Sequence, residues 1–204
     1  MPGLGKTTLA YRVYNNKSIA NHFDVRAWCT VDQEYDMNKI LQKIYNQVIG
    51  SDAKFSEDFV VGDKLQRELY RRRYLIVLDD LWDTTAWDDL TRHFPEFMNG
   101  SRVIITSRIM NVALHGKRCS DPFHLRLLNL EESWELLQRK VFGEEICPDE
   151  LLDVGYEITK KCKGLPLVLH LIGGVIATKE KNHLKPCLLY LDAIQRMNIL
   201  KYLN

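Results

Sequence analysis

Gly3-Leu4-Gly5-Lys6-Thr7-Thr8 puts two glycines, a lysine and two hydroxyls within six positions, a set suited to binding phosphate. Glycines let backbone N–H groups turn inward without a Cβ in the way, so that the loop can cradle phosphate oxygens. A helix beginning at Lys6 would add the partial positive charge of its N-terminus. Lys6 can then reach the β- and γ-phosphates, and Thr7 can offer its hydroxyl to Mg²⁺. The complete phosphate-loop pattern is G-x-x-x-x-G-K-[ST], and its first glycine would fall one place before Met1. On these residues alone, a Gly-Lys-Thr that merely opens an ordinary helix remains an equal alternative.

A second chemical group lies at Asp79-Asp80, directly after the apolar run Tyr74-Leu75-Ile76-Val77-Leu78. Carboxylates at the C-terminal end of a buried parallel strand stand where open α/β sheets bind ligands. One can hold Mg²⁺ through water and its neighbour can polarise an attacking water. Alone, such a pair would simply end a strand; downstream of a Gly-Lys-Thr loop the combination is more specific. Arg108 follows another strand-like run expected to be buried, Arg102 to Thr106, and its guanidinium matches phosphate geometry. Without the two earlier motifs it would read as a surface arginine at a strand end.

The elements that must position these residues alternate. Leu9 to Tyr14 continues a helix out of the loop, and Asn15-Asn16-Lys17 is a polar break. Phe23 to Val31 is rich in β-formers and predicts a strand. Asp36 precedes apolar residues at 37, 40, 41, 44, 48 and 49, the spacing of an amphipathic helix capped by Asp36 and closed at Gly50. Leu65 and Leu69 mark a shorter helix ending in Arg71-Arg72-Arg73, which reads as a solvated helix end rather than a nucleic-acid patch. Tyr74 to Leu78 is apolar without alternation, as in a strand buried on both faces. Asp83 to Phe94 predicts a helix, Arg102 to Thr106 a strand, and Phe123 to Leu127 a further strand. Asn129 and Glu132 resemble a capping box before a helix with Trp134, Leu137 and Val141 on one face. Strand–helix alternation predicts a parallel sheet covered by helices on both sides. From Pro148 the strands give way to helices: one stopped by Gly164, one started near Pro166, and a last one from Leu188 to Leu203.

The 204 residues suffice for a sizeable core, and 46% hydrophobic with 27% charged residues is ordinary for a soluble globular chain. A formal net charge of +1 excludes a global field that recruits nucleic acid or acidic membranes, so any phosphate binding must be local. Cys29, Cys119, Cys147, Cys162 and Cys187 are odd in number and unpaired by spacing. They favour a reducing compartment over a zinc site or a disulfide framework. Leu165 to Ala177 is too short to span a bilayer, and a cytosolic, cytoplasmic location is expected.

With these pieces placed, the chain resembles the NB-ARC nucleotide-binding module of plant NLR immune receptors. GLGKTT, LIVLDDLWD, GSRVIITSR and CKGLPL occur in the family's order, and FDVRAWCTVDQEYD, LNLEESWELLQRKVF and HLKPCLLYL are similar to further family blocks. The resemblance implies an α/β fold, a P-loop NTPase three-layer parallel sheet with its first strand missing, followed by a small helical subdomain. The implied parts are a nucleotide-binding domain over 1–145, a helical subdomain over 146–181 and a winged-helix remnant over 182–204. It implies ADP in the resting state, ATP in the active one, and Mg²⁺. Gly3, Leu4, Gly5, Lys6, Thr7 and Thr8 would bind the phosphates, and Thr7 and Asp79 the metal. Asp80 would position water as the catalytic candidate, Arg108 would sense the γ-phosphate, and Pro166 would pack near adenine and ribose.

Three departures from the family pattern accompany the resemblance. The strand that precedes the phosphate loop in relatives, central between the strand ending at Thr106 and the one around Phe123 to Leu127, is expected to be absent. An internal deletion is expected where Glu180-Lys181 runs into Asn182-His183. The chain also stops at Asn204, before the family's Met-His-Asp motif. The functions that follow are an ADP/ATP switch for plant defence, at most a slow Mg²⁺-dependent ATPase, or a truncated relic that binds no nucleotide and pairs with full-length receptors. Partners are an adenine nucleotide and other NLR domains, with no nucleic acid and no integral membrane segment.

Overall fold

The computed structural model describes residues 1–52, 58–95, 100–116 and 121–177. They form two compact units, Lys6–Phe123 and Met1–Gly5 joined with the chain from His124 onward.

The first unit runs α1 (Lys6–Asn15), α2 (Lys17–Ala20), β1 (Val25–Thr30), α3 (Met37–Ile49), α4 (Asp58–Leu69), β2 (Tyr74–Asp79), α5 (Thr84–Thr91), β3 (Arg102–Ile105) and α6 (Met110–His115). Its three strands lie parallel in the order β1-β2-β3, with Ala27 opposite Ile76 and Ile76 opposite Val103. Side chains alternate across a sheet. Ala27, Cys29, Ile76 and Leu78 therefore join the core built by Ile40, Leu41, Ile44, Leu65, Trp87 and Leu90 from the covering helices. On the opposite face, Trp28 meets Tyr11 and Tyr14 of α1 edge-on at 6.1 and 5.5 Å, and Arg26 donates to the Tyr14 carbonyl at 2.6 Å. Helices thus cover both faces, as the alternation predicts. All six β2 residues are buried, as its unbroken apolar run requires of a strand between two helix layers.

Among the described residues, the outer edge of β1 is met by a side chain rather than by a strand. Gln47 accepts from the Trp28 N–H at 2.8 Å and donates to its carbonyl at 2.9 Å. One side-chain amide thereby takes the place of a neighbouring peptide group and blunts an edge that would otherwise template pairing.

Local signals set the helix limits. Asp36 Oδ1 accepts from the N–H groups of Asn38 and Lys39, and Gly50 ends α3 in the left-handed region at φ 68°. Asp83 caps α5, which ends at Thr91 rather than at Phe94. The polar break at Asn16 proves to be a cap as well, its side chain accepting from Ser18 and Ile19 to start α2. Beyond α4 the three arginines splay apart: Arg71 lies over Tyr70, Arg72 pairs with Glu68 and Arg73 with Asp24. They form no single basic patch.

The second unit contains α7 (Leu130–Phe142), α8 (Asp149–Lys161) and α9 (Pro166–Ala177). Trp134, Leu137, Val141, Ile158, Leu169 and Ile172 lie in its core. Gly155 lets α8 approach α7, since a Cβ there would meet the Trp134 ring at 2.3 Å. Gly164 is required twice over, by φ 71° and by the Leu128 carbonyl 2.2 Å from where its Cβ would stand.

The strand expected at Phe123 to Leu127 is not formed; residues 121–129 carry no regular structure. Their polar groups bond elsewhere. The Leu128 N–H donates to the Gly164 carbonyl, and Arg126 grips Glu132 through both terminal nitrogens at 2.7 Å, while Phe123 is 81% exposed. Without a neighbouring strand among the described residues, β-forming composition alone does not make a ladder. Cys29, Cys147 and Cys162 are buried free thiols, and burial pushes Cys162 up to about 12. Cys119, Cys187, the break at 179–183, the helix expected from Leu188 to Leu203 and the segment 182–204 lie outside the described residues.

The capping box of α7 is complete: Asn129 accepts from the Glu132 N–H at 2.8 Å and Glu132 accepts from the Asn129 N–H at 2.9 Å. The Arg126 hydrogen bonds, and then the Asn129 N–H, hold the Glu132 carboxyl down to about 2. A depressed carboxylate stabilises the fold above its unfolded value, and that contribution disappears as pH falls through about 2. Carboxyl-detected NMR titration should place the Glu132 midpoint near that value and find it raised in Arg126→Ala; an unmoved midpoint would remove Arg126 as the main cause.

Candidate functional site

The site of the first unit is assembled at the C-terminal ends of the parallel strands. Asp79 ends β2 and is only 5% exposed. A carboxylate that deep needs donors. It has them on both sides: Thr7 Oγ1, from the first turn of α1, donates to Oδ1 and Oδ2 at 2.9 and 3.1 Å, and Thr106 Oγ1, just past β3, donates to Oδ1 at 2.6 Å. Thr106 works in two directions, because its Oγ1 also accepts from the Asp80 N–H at 2.9 Å.

Backbone bonds zip the segments behind the two strands. The Thr106 N–H donates to the Leu78 carbonyl and the Leu81 N–H to the Thr106 carbonyl, and Ser107 Oγ donates to the Leu81 carbonyl at 2.7 Å. This frame turns Asp80 into the left-handed region at φ 59°, a conformation that aspartate tolerates better than most residues. Its carboxylate then receives Arg108 side-on, Nε to Oδ1 and Nη2 to Oδ2, each at 3.0 Å. The guanidinium carbon also lies 5.1 Å from the centre of the Trp82 ring.

Lys6 opens α1 beside these charges. Burial first, then the Arg108 charge, lower its ammonium below the usual value, against the opposing pull of Asp80 and Asp79. Thr8 is exposed one residue beyond Thr7. Lys6 and the backbone N–H groups that open α1 place a cation and a set of donors at one end of the helix.

In the second unit, the Leu167 N–H donates to the Gly3 carbonyl at 3.2 Å, and Leu4 packs against the apolar core. Gly3 and Gly5 both have positive φ, 76° and 93°, and a Cβ on Gly3 would press on Leu167 at 3.1 Å. Pro166 is the first residue of α9. Within their own units the structure therefore brings together Lys6, Thr7, Asp79, Asp80 and Arg108, and it sets Gly3 against the turn that contains Pro166.

Two residues of this arrangement were passed over in the sequence. Thr106 read only as the end of a strand expected to be buried; β3 is instead exposed at Arg102 and partly buried at 103–105, yet a hydroxyl one place beyond an apolar strand and level with an Asp-Asp pair was a usable signal. Trp82 stands inside the LIVLDDLWD block, where nothing in the sequence gives it a role beside the two aspartates. Among the described residues no three His, Cys, Asp or Glu side chains gather into a metal cage. Thr7 and Asp79 are nonetheless hard oxygen groups, suited to a Mg²⁺ that takes most of its ligands from water and phosphate.

These features meet a match to known proteins. The model of the NB-ARC domain covers residues 1–147. The chain belongs to the NB-ARC family. Late blight resistance protein homolog R1B-14 of Solanum demissum is 46% identical over 185 residues, 89% of this chain and 14% of that protein. Homolog R1B-16 of the same species is 45% identical over 183 residues, again 89% of this chain and 14% of the relative. This NB-ARC chain thus spans a small part of the proteins it matches. Its α/β sheet is that of a P-loop NTPase domain, and among the described residues no helix is long and apolar enough to cross a membrane.

Thr106→Val keeps the shape of the side chain but removes both polar contacts. It should destabilise the fold by about 1–3 kcal/mol, read as a lower urea midpoint at unchanged slope; a wild-type midpoint would mean that Asp79 does not depend on it.

Proposed function

We propose that this chain binds an adenine nucleotide, ADP or ATP with Mg²⁺, and acts as the switch module of a plant NLR-type disease-resistance protein. The observation that carries the reading is the buried Asp79 carboxylate holding the Thr7 hydroxyl beside Lys6 at the start of a helix. That is the arrangement a magnesium–phosphate group requires: a lysine for phosphate charge, a hydroxyl whose lone pairs remain available, and a carboxylate to orient it.

In this reading the backbone of Gly3, Leu4 and Gly5, with Thr8, binds phosphate, and Pro166 packs near adenine and ribose. Mg²⁺, when bound, neutralises phosphate charge. Thr7 and Asp79 are its protein side, Arg108 meets the γ-phosphate and Asp80 orients water. Both Asp80 oxygens are engaged by Arg108, which favours a slowly turning switch over a fast ATPase. Residues 1–145 serve as the nucleotide domain, 146–181 as the helical subdomain and 182–204 as a winged-helix remnant. Other NLR domains are the protein partners and the cytoplasm is the setting.

Lys6→Ala should weaken ADP binding by at least tenfold in calorimetry at millimolar Mg²⁺, since a desolvated charge-assisted phosphate contact is worth about 1.5–3 kcal/mol. Equal affinity in wild type and variant would refute the assignment.

A further inference from the structure

The Asp80–Arg108 pair has a third member that the nucleotide reading leaves without a role. Trp82 stands two residues after Asp80, half-buried, with its ring 5.1 Å from the Arg108 guanidinium carbon. Asp80 takes the edge of the guanidinium through two parallel hydrogen bonds while the indole lies against it. The support is rigid on both sides, because the 79–81 and 106–107 backbones are bonded to each other and Ser107 Oγ also accepts from the Ile109 N–H at 3.0 Å. We propose that Trp82 is a positioning residue that keeps Arg108 parked on Asp80, so that each silences the other until a triphosphate draws the arginine away.

The inference rests on the nucleotide reading of the site and adds a means by which that site tells a diphosphate from a triphosphate. While the pair is closed, Arg108 has its Nε and Nη2 donors committed, and each Asp80 oxygen already accepts one charged hydrogen bond that competes with the ordering of a water. A diphosphate leaves the pair intact. A triphosphate must break it, and so loses the Trp82 contact together with the two hydrogen bonds. Lys6, already feeling the Arg108 charge, disfavours a second cation drifting toward the phosphate site unless the third phosphate is there to receive it. The side chains of Arg108 and Asp80 are 40% and 25% exposed, so the cation–π contact belongs at the weak end of its range, and its loss should shift a binding ratio roughly two- to fivefold.

The test is calorimetry of the full chain with ADP and with the β,γ-imido analogue of ATP, both at millimolar Mg²⁺, in wild type, Trp82→Ala, Trp82→Leu and Trp82→Phe. Trp82→Ala and Trp82→Leu should raise triphosphate affinity relative to ADP by roughly two- to fivefold, with ADP affinity itself unchanged. Trp82→Phe, which keeps a π face, should stay near the wild-type ratio. If Trp82→Ala fails to fold, the Leu and Phe variants decide, since they differ in the π face and not in apolar character. An unchanged ratio, or a fall in triphosphate preference, with ADP still bound, overturns the latch and leaves the nucleotide site standing. Failure of wild type to bind either nucleotide overturns both.

Discussion

A buried carboxylate is the constraint around which the first unit is arranged. Asp79 sits at the end of a strand with no exposed residue, where an unpaired charge would be prohibitive. Its two hydroxyl donors arrive from elements far apart in sequence, Thr7 on α1 and Thr106 after β3. Satisfying one side chain therefore fixes the start of a helix against two neighbouring strands. Every buried side-chain nitrogen and oxygen among the described residues has a partner, so the polar centre is closed by protein groups.

The two adjacent aspartates have separate work because the backbone points them differently. Asp79 follows the strand and turns inward; Asp80, at positive φ, turns toward Arg108. A strained conformation held by surrounding bonds is typical of positions where chemistry or switching takes place. Here the surrounding bonds are those of Thr106, Ser107 and Leu81, so the short segment after β3 is as much a part of the site as the acidic pair.

Much of this was legible in the sequence where the signal was local. The unbroken apolar run of β2, the Asp36 cap with its closing Gly50, and the Asn129–Glu132 capping box all follow from side chains acting within a few residues. Phe123 to Leu127 shows the limit: its composition suits a strand, yet Arg126 bonds Glu132 at the start of α7 and the next residue, Leu128, donates to Gly164. Thr106 and Trp82 escaped for the same reason, since their partners lie 27 and 26 residues away. Gly164 was readable as a stop, but the Leu128 carbonyl beneath it was not. Family resemblance assigned Arg108 to a phosphate; its hold on Asp80 emerges only from the folded geometry.

The central claim is that Asp79 acts on nucleotide through Thr7 and a divalent ion. The most direct measurement is the magnesium dependence of ADP affinity in wild type and Asp79→Asn, titrated at millimolar Mg²⁺ and again in EDTA. Wild type should lose affinity when magnesium is removed, while the variant should bind weakly and equally in both. The same magnesium dependence in the two proteins would contradict the account.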